Sequence, residues 1–199
     1  MPVEHRGELG YGDVYTWTAI CADTKLVPCW LVGDRSYNTA KIFIADLASR
    51  LINRVQLTTD QHNAYLEAVE KSFGGDIDYA RLYKIYGLDT RGDGPRKYSP
   101  AKCLGVQTKV AEGSSDPKHI LTSYDERQNL TMRMQMRRFT RLTNAFSKKV
   151  EDLAHAVSLH FMYYNFCRIH QSRRVTPAME AGKAEHPWSL EDIVMLNQK

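Results

Sequence analysis

Asp60 stands where a carboxylate could hold a metal ion. It closes the stretch RVQLTTD at residues 54–60, whose composition favours a short strand, and a helical pattern follows it. Ligands of open α/β sheets gather outside the carboxyl ends of strands, and carboxylate oxygens suit Mg²⁺, which keeps several waters for substrate phosphates. The alternative is that Asp60 only caps the helix that follows.

Glu126 is the second acidic residue whose position could serve metal chemistry. It heads a predicted helix in which every other charged residue is basic. It is therefore either a favourable charge at the positive end of the helix dipole or a metal ligand among phosphate-binding cations. Asp125 beside it points to another side of the helix and is the fallback ligand.

The residues around Glu126 carry a local excess of positive charge. Seven basic residues lie between positions 126 and 149, against Glu126 as the single acidic one. They are Arg127, Arg133, Arg137, Arg138, Arg141, Lys148 and Lys149. Such an excess suits a polyphosphate partner, because each neutralised phosphate releases counterions. A solvated helix face is the alternative.

The composition is that of one globular domain. The chain has 199 residues and a net charge of +4, and 43% of its residues are hydrophobic. No apolar run approaches the length of a membrane span, and residues 1–7 lack the apolar segment of a secretory signal, so we expect no membrane partner and a cytoplasmic protein. The four cysteines have no C-x-x-C spacing, which predicts reduced, mostly packed thiols rather than a zinc site or disulfides.

Hydrophobic periodicity predicts the elements that position Asp60. Alternation over residues 12–20 and 26–32 predicts a strand hairpin. Asn38 is the predicted N-cap of a helix with apolar residues at helical spacing. After the strand that ends at Asp60, a second helix is predicted to stop at Gly74.

The middle of the chain is predicted to be less regular. Residues 77–86 favour a strand. Residues 87–118 have the Gly, Pro, Ser, Asp and Lys composition of an insertion loop, with a short strand at 105–110. An extended stretch over 119–124 leads to a basic helix at about 126–138.

The last third is predicted to be helical. One helix is predicted over 150–168, and residues 176–199 form a helical tail in which Thr176 and Ser189 each open a short helix. The order strand, strand, helix, strand, helix and then helices predicts an α/β fold with a mixed sheet. A metabolic α/β enzyme is disfavoured, because no glycine-rich phosphate loop follows the first strand.

Four stretches of the chain together resemble the DDE transposases of bacterial insertion sequences. They are GDVYTWTAICADTKLVPCWLVGDR at 12–35, RVQLTTD at 54–60, SYDERQNLTMRMQMRRFTRLTNAFSKK at 123–149 and YNFCRIHQSRRVTPAMEAG at 164–182. The resemblance extends from about residue 7 to residue 194. Its most specific part is the run from 126 to 149, whereas the last stretch recurs more loosely among related transposases and integrases.

The resemblance implies an RNase H-like mixed sheet flanked by helices, with a helical C-terminal region. It also implies an active site of two divalent ions, Mg²⁺ or Mn²⁺, on two aspartates and a glutamate, which clamp the attacking and leaving oxygens of an in-line phosphoryl transfer. By motif, Asp60 matches the second aspartate and Glu126 the glutamate. The implied function is DNA transposition by an enzyme that cuts and joins DNA.

The same resemblance implies DNA as the partner, both transposon ends and target, at the nucleoid in the cytoplasm. Association with itself or with a full-length transposase is also implied. Asn129 and Arg133, one and two helical turns beyond Glu126, are expected to share its face. The residues expected to face DNA are Arg127, Asn129, Arg133, Arg137, Arg138, Arg141, Lys148 and Lys149.

The first catalytic aspartate of the resembled family has no match in this sequence. The family has it on a central strand before the hairpin, and residues 1–12 contain no such strand. Asp23 is typical of a turn, and Asp13 is expected at the wrong end of its strand. We therefore expect a partial catalytic domain over 1–199 that lacks the first central strand and is inactive alone. The alternative is a catalytically dead DNA-binding or transposase-binding fragment, a regulator or pseudogene product.

Overall fold

The computed structural model describes residues 13–87, 103–140, 144–145 and 149–196. This part of the chain is mixed α/β, as predicted, with a two-stranded antiparallel sheet, a three-stranded mixed sheet and several helices. The chain divides into two compact units, one formed by Met1–Arg50 and Ser123–Lys199 and the other by Leu51–Thr122. Within the described ranges, no helix has the length and apolar content needed to cross a bilayer.

The described part of the first unit begins with a hairpin of two short strands. Strands β1 (Tyr15–Thr18) and β2 (Trp30–Gly33) are antiparallel. Both are shorter than predicted, and Pro28 contributes to this because it has no N–H to donate to a ladder. The connecting loop is closed by a hydrogen bond from the Cys21 N–H to the Leu26 carbonyl at 2.8 Å. Asp23 lies exposed in this turn, as predicted.

Helix α1 (Tyr37–Ser49) follows the hairpin, and its N-cap is Ser36. The Ser36 backbone is extended, and its Oγ accepts a hydrogen bond from the Thr39 N–H at 3.3 Å. The prediction of Asn38 as the cap is wrong, because Asn38 already lies inside the first turn. The buried face of α1 consists of Ala40, Phe43, Ile44 and Leu47.

The second unit is built on two parallel strands and their crossover helix. Strand β3 (Gln56–Thr59) is parallel to β4 (Asp78–Tyr86), and helix α2 (Ala64–Phe73) connects them. Parallel neighbours need such a crossover, because the chain must return to the same end of the sheet. Helix α2 ends at Gly74, as predicted, and the φ of 56° there favours glycine.

Strand β5 (Cys103–Glu112) completes the three-stranded sheet, whose order is β3-β4-β5 with β4 and β5 antiparallel. It is longer than the short strand predicted at 105–110. Residues 88–102 of the predicted insertion loop lie outside the described residues. Ala80 and Leu82 of β4 pack with Ile120 to form the small core of this unit.

Helix α3 (Ser123–Gln135) returns the chain to the first unit. It begins and ends earlier than predicted, and a 3₁₀ turn at Arg137–Phe139 follows it. The extended stretch predicted over 119–124 is therefore wrong at both ends, because His119 belongs to a 3₁₀ turn and α3 begins at Ser123. Just before it, Asp116 caps a 3₁₀ turn at Pro117–His119 by accepting a hydrogen bond from the Lys118 N–H at 2.9 Å.

Helix α4 (Val150–Met162) contributes Val157 and Phe161 to a core cluster of the first unit. It continues into a π-helical turn, Tyr163–Cys167, so the helix predicted over 150–168 is confirmed in extent but changes its hydrogen-bonding pattern. The aromatic ring of Trp30 lies on Phe161 with ring centroids 5.2 Å apart. The buried residues of this cluster are Val27, Met132, Val157, Phe161 and Tyr164.

Two short helices form the end of the described chain, as predicted. Helix α5 (Pro177–Glu180) opens at Thr176, whose side chain accepts a hydrogen bond from the Met179 N–H. Helix α6 (Leu190–Met195) opens with a capping box between Ser189 and Asp192.

Candidate functional site

Asp60 follows β3 directly, at the carboxyl end of that strand, and its side chain is exposed. One of its carboxylate oxygens accepts a hydrogen bond from the His62 N–H at 2.9 Å. The N-cap of α2 is Asn63, so Asp60 does not cap that helix. It shapes the turn between strand and helix instead, as aspartate often does.

A buried arginine holds the turn after Asp60. Arg81 of β4 is 5% exposed, and its Nη2 donates to the carbonyl of Gln61 and to Oδ1 of Asn63, the latter at 3.0 Å. The hydroxyls of Thr59 in β3 and Tyr79 in β4 are 2.8 Å apart, and burial raises the pKa of the Tyr79 phenol. The backbone that presents Asp60 is thus fixed by side chains of β4.

Glu126 and Asp125 lie in the first turn of α3 and differ in surroundings. Glu126 is exposed, whereas Asp125 is half-buried. The Asp125 carboxylate accepts hydrogen bonds from the Thr18 hydroxyl of β1 at 2.7 Å and from the Asn129 amide at 3.0 Å. Asn129, which we expect beside Glu126, therefore has its amide engaged with Asp125.

The described residues do not supply the ligand set that two magnesium ions need. Asp60 and Glu126 offer suitable hard oxygens, but Asp60 belongs to the second unit and Glu126 to the first. Within ranges 13–87, 103–140 and 149–196, no group of three or more His, Cys, Asp or Glu side chains is arranged to hold a metal ion. The four cysteines are free thiols, of which Cys29 is buried and Cys103 exposed.

The predicted DNA-facing residues lie mostly at the surface. We call the exposed Arg127, Arg133, Arg137 and Arg138 the α3 basic surface. Arg137 and Arg138 line an open cavity of about 360 Å³ together with Met136 and Ala145. Lys149 is also exposed, and Asn129 is half-buried. Arg141 and Lys148 lie outside the described residues.

Asn165, in the stretch YNFCRIH, has a role that the sequence analysis missed. It is 3% exposed, its Oδ1 accepts from the Val27 N–H at 3.0 Å, and its Nδ2 donates to the Val27 carbonyl at 2.8 Å. These two bonds satisfy both backbone groups of a core residue in a stretch without strand pairing. The signal available in the sequence was an asparagine directly after the apolar residues of a predicted helix.

Comparison with known proteins assigns no family. No family model matches the chain, and neither a curated protein nor a solved structure matches it. Function must therefore follow from the motif residues, the α3 basic surface and their surroundings.

Proposed function

We propose that this chain is a DDE-type polynucleotidyl transferase domain of the insertion-sequence transposase class, which cuts and joins DNA. The observation that carries the proposal is the position of the two motif carboxylates. Asp60 directly follows a strand of a parallel pair, and the exposed Glu126 lies in the first turn of the helix from which the α3 basic surface extends. The element order, with a hairpin, a helix and then a βαβ arrangement, supports an RNase H-like fold.

In this proposal each group has a separate task. Asp60 and Glu126 are two of the three carboxylates that hold Mg²⁺ or Mn²⁺. No residue of this sequence matches the third by motif. The α3 basic surface holds the phosphate backbone, which positions DNA without reading its sequence. Two carboxylates without the third favour weak metal binding without turnover in this polypeptide.

A second candidate function is DNA binding without catalysis. The α3 basic surface supports it, because its four arginines are exposed and phosphate contacts need no metal ligand. A protein of this kind would compete for DNA with an active transposase, or associate with one, and so regulate it.

The test separates metal binding, DNA joining and DNA binding. We expect Asp60→Asn and Glu126→Gln each to weaken Mn²⁺ binding by about tenfold, because each removes one charged ligand. Asp23→Asn, in the exposed hairpin turn, is the matched control and should leave Mn²⁺ binding unchanged. Titration calorimetry with Mn²⁺ gives the affinities.

Joining of labelled linear duplex DNA in Mg²⁺ or Mn²⁺ is then measured, and we expect none from this chain alone. DNA binding together with Mn²⁺ binding that both substitutions weaken supports the transferase domain, and DNA binding without such Mn²⁺ binding supports the regulator. Joining that Asp60→Asn abolishes would show that another carboxylate of this chain supplies the third ligand. If neither substitution changes Mn²⁺ binding more than the control does, the assignment of the ligands is wrong. A chain that does not bind DNA contradicts both functions.

A further inference from the structure

The loop after the π-helical turn folds back on itself and gathers basic side chains. The His170 N–H donates to the Val175 carbonyl at 2.9 Å, and the His170 carbonyl accepts from the Arg173 and Arg174 N–H groups at 3.1 and 2.7 Å. Arg174 takes a positive φ of 60°, which makes the turn tight. Arg168, His170 and Arg173 are thereby held on one short loop.

Two other segments of the first unit bring cations to the same loop. Arg173 Nη2 donates to the Asp23 carbonyl at 2.7 Å, which attaches the loop to the hairpin turn that also contains Lys25. The Lys25 ammonium lies 3.4 Å from the ring centroid of Tyr124 in α3. Arg127 is three residues beyond Tyr124 and therefore shares its side of the helix.

Five basic side chains from three chain segments thus lie together, and we call them the His170 basic cluster. They are Lys25, Arg127, Arg168, His170 and Arg173. Partial burial lowers the pKa of His170 below its ordinary value, and the positive charges of the other four lower it further. Both effects favour the neutral form of the His170 imidazole.

The described residues compensate little of this charge. The ion pair found in the cluster is Arg173 with Glu180 at 3.3 Å, and no other carboxylate of the described ranges is within ion-pair distance of its members. Arg168 Nη1 is buried without a hydrogen-bond partner among the described residues. Crowding like charges and burying a donor without an acceptor both cost free energy, so a bound anion would stabilise this arrangement.

We propose that the His170 basic cluster is a phosphate-binding site and that its occupant is a backbone phosphate of DNA. Guanidinium groups match phosphate oxygens with paired N–H donors, a lysine adds a point charge, and a neutral imidazole adds one more hydrogen bond. The identity of the occupant as DNA rests on the proposed function, whereas phosphate binding does not.

The first part of the test uses inorganic phosphate at constant ionic strength, with chloride as the reference anion. We expect saturable binding that Lys25→Gln and Arg173→Gln each weaken by about tenfold, since each removes a charge-assisted contact. Lys41→Gln removes the same charge from the exposed side of α1 and should change the affinity less than twofold. Ring signals of His170 should shift with phosphate, whereas those of His155, exposed on α4, should not.

The second part uses a short DNA duplex with the same three variants, each first shown to unfold like the wild type. Loss of DNA affinity in Lys25→Gln and Arg173→Gln, but not in Lys41→Gln, supports DNA as the occupant. If Lys25→Gln and Arg173→Gln weaken phosphate binding but leave the DNA affinity unchanged, DNA is not the occupant. If the wild type binds phosphate but no DNA, the proposed function fails and the phosphate site stands. Absence of saturable phosphate binding overturns the inference itself.

Discussion

At the scale of single residues, two neighbouring acids of α3 differ in their surroundings. Asp125 is tied to β1 through the hydroxyl of Thr18, a residue 107 positions away, and Glu126 is exposed beside it. The sequence places both at the head of a basic helix and favours Glu126 only through the motif. It could not show which acid contacts the hairpin, because that contact depends on tertiary packing.

Substitution of these two acids should therefore lower the free energy of unfolding by different amounts. We expect Asp125→Ala to lower the free energy of unfolding by about 1–3 kcal/mol, because it leaves the Thr18 hydroxyl and the Asn129 amide without their charged acceptor. Glu126 is exposed, where solvent screens the interactions of a carboxylate, so Glu126→Ala should cost less than about 1 kcal/mol. Urea denaturation at neutral pH measures both. A larger loss from Glu126→Ala would contradict this division.

Asn165 shows a further limit of the sequence at this scale. The sequence identifies the stretch YNFCRIH as part of a motif, but the partner of its amide is the backbone of Val27, 138 positions away. The identity of a buried residue is visible in a sequence, whereas the backbone groups that it satisfies depend on the packed fold.

Elements that depend on local signals could be predicted, and those that depend on packing could not. The caps at Thr176 and Ser189 and the stop at Gly74 were predicted and are confirmed, because each rests on residues within one helical turn. The cap of α1 and the start of α3 were placed wrongly. At both places several polar residues follow one another, and which one caps depends on backbone angles that the sequence does not specify.

Helix α4 contains a buried histidine that should make the stability of the protein depend on pH. His160 is 8% exposed, stacks with Tyr164 and has no partner for Nε2 among the described residues. Burial, and to a lesser degree the charge of Arg168, lowers its pKa from 6.5 to about 4. In the native state His160 therefore stays neutral over a pH range below 6.5 in which the same side chain binds a proton in the unfolded chain.

The sign of this effect follows from proton binding. Between pH 6.5 and 4 the unfolded state binds more protons, so acidification destabilises the fold, by roughly 3 kcal/mol over the whole interval. We expect His160→Gln to make the unfolding free energy depend less steeply on pH in this interval, measured by urea denaturation at several pH values. His155→Gln, exposed on the same helix, should keep the wild-type slope. Equal slopes in all three proteins would refute the assignment.

At the scale of the molecule, the described ranges confirm the predicted α/β class with a mixed sheet, and an RNase H-like fold stays a proposal. The periodicity of 2 in strands and 3.6 in helices was sufficient for the class. The candidate site was less predictable, because it depends on long-range placement. Asp60 and Glu126 belong to different compact units, and the His170 basic cluster joins segments that lie far apart in the sequence.

At this scale the α3 basic surface predicts salt-dependent DNA binding with little sequence preference. Each phosphate contact releases counterions, so the logarithm of the affinity falls with the logarithm of salt by about 0.9 per contact. Replacing Arg133, Arg137 and Arg138 with alanine should reduce this slope by about 2–3 and weaken binding to unrelated duplexes equally.

The matched control for this prediction is the triple alanine variant of Lys41, Lys71 and Lys183. These lysines are exposed and lie on or next to other helices, so the control removes the same net charge without touching the α3 basic surface. Fluorescence anisotropy with two duplexes of different sequence, from low to moderate salt, gives both slopes. A smaller slope in the arginine variant alone assigns the contacts to α3 and the turn that follows it. Equal slopes in both variants would mean that DNA responds only to the net charge, and the α3 basic surface would then be a solvated helix face.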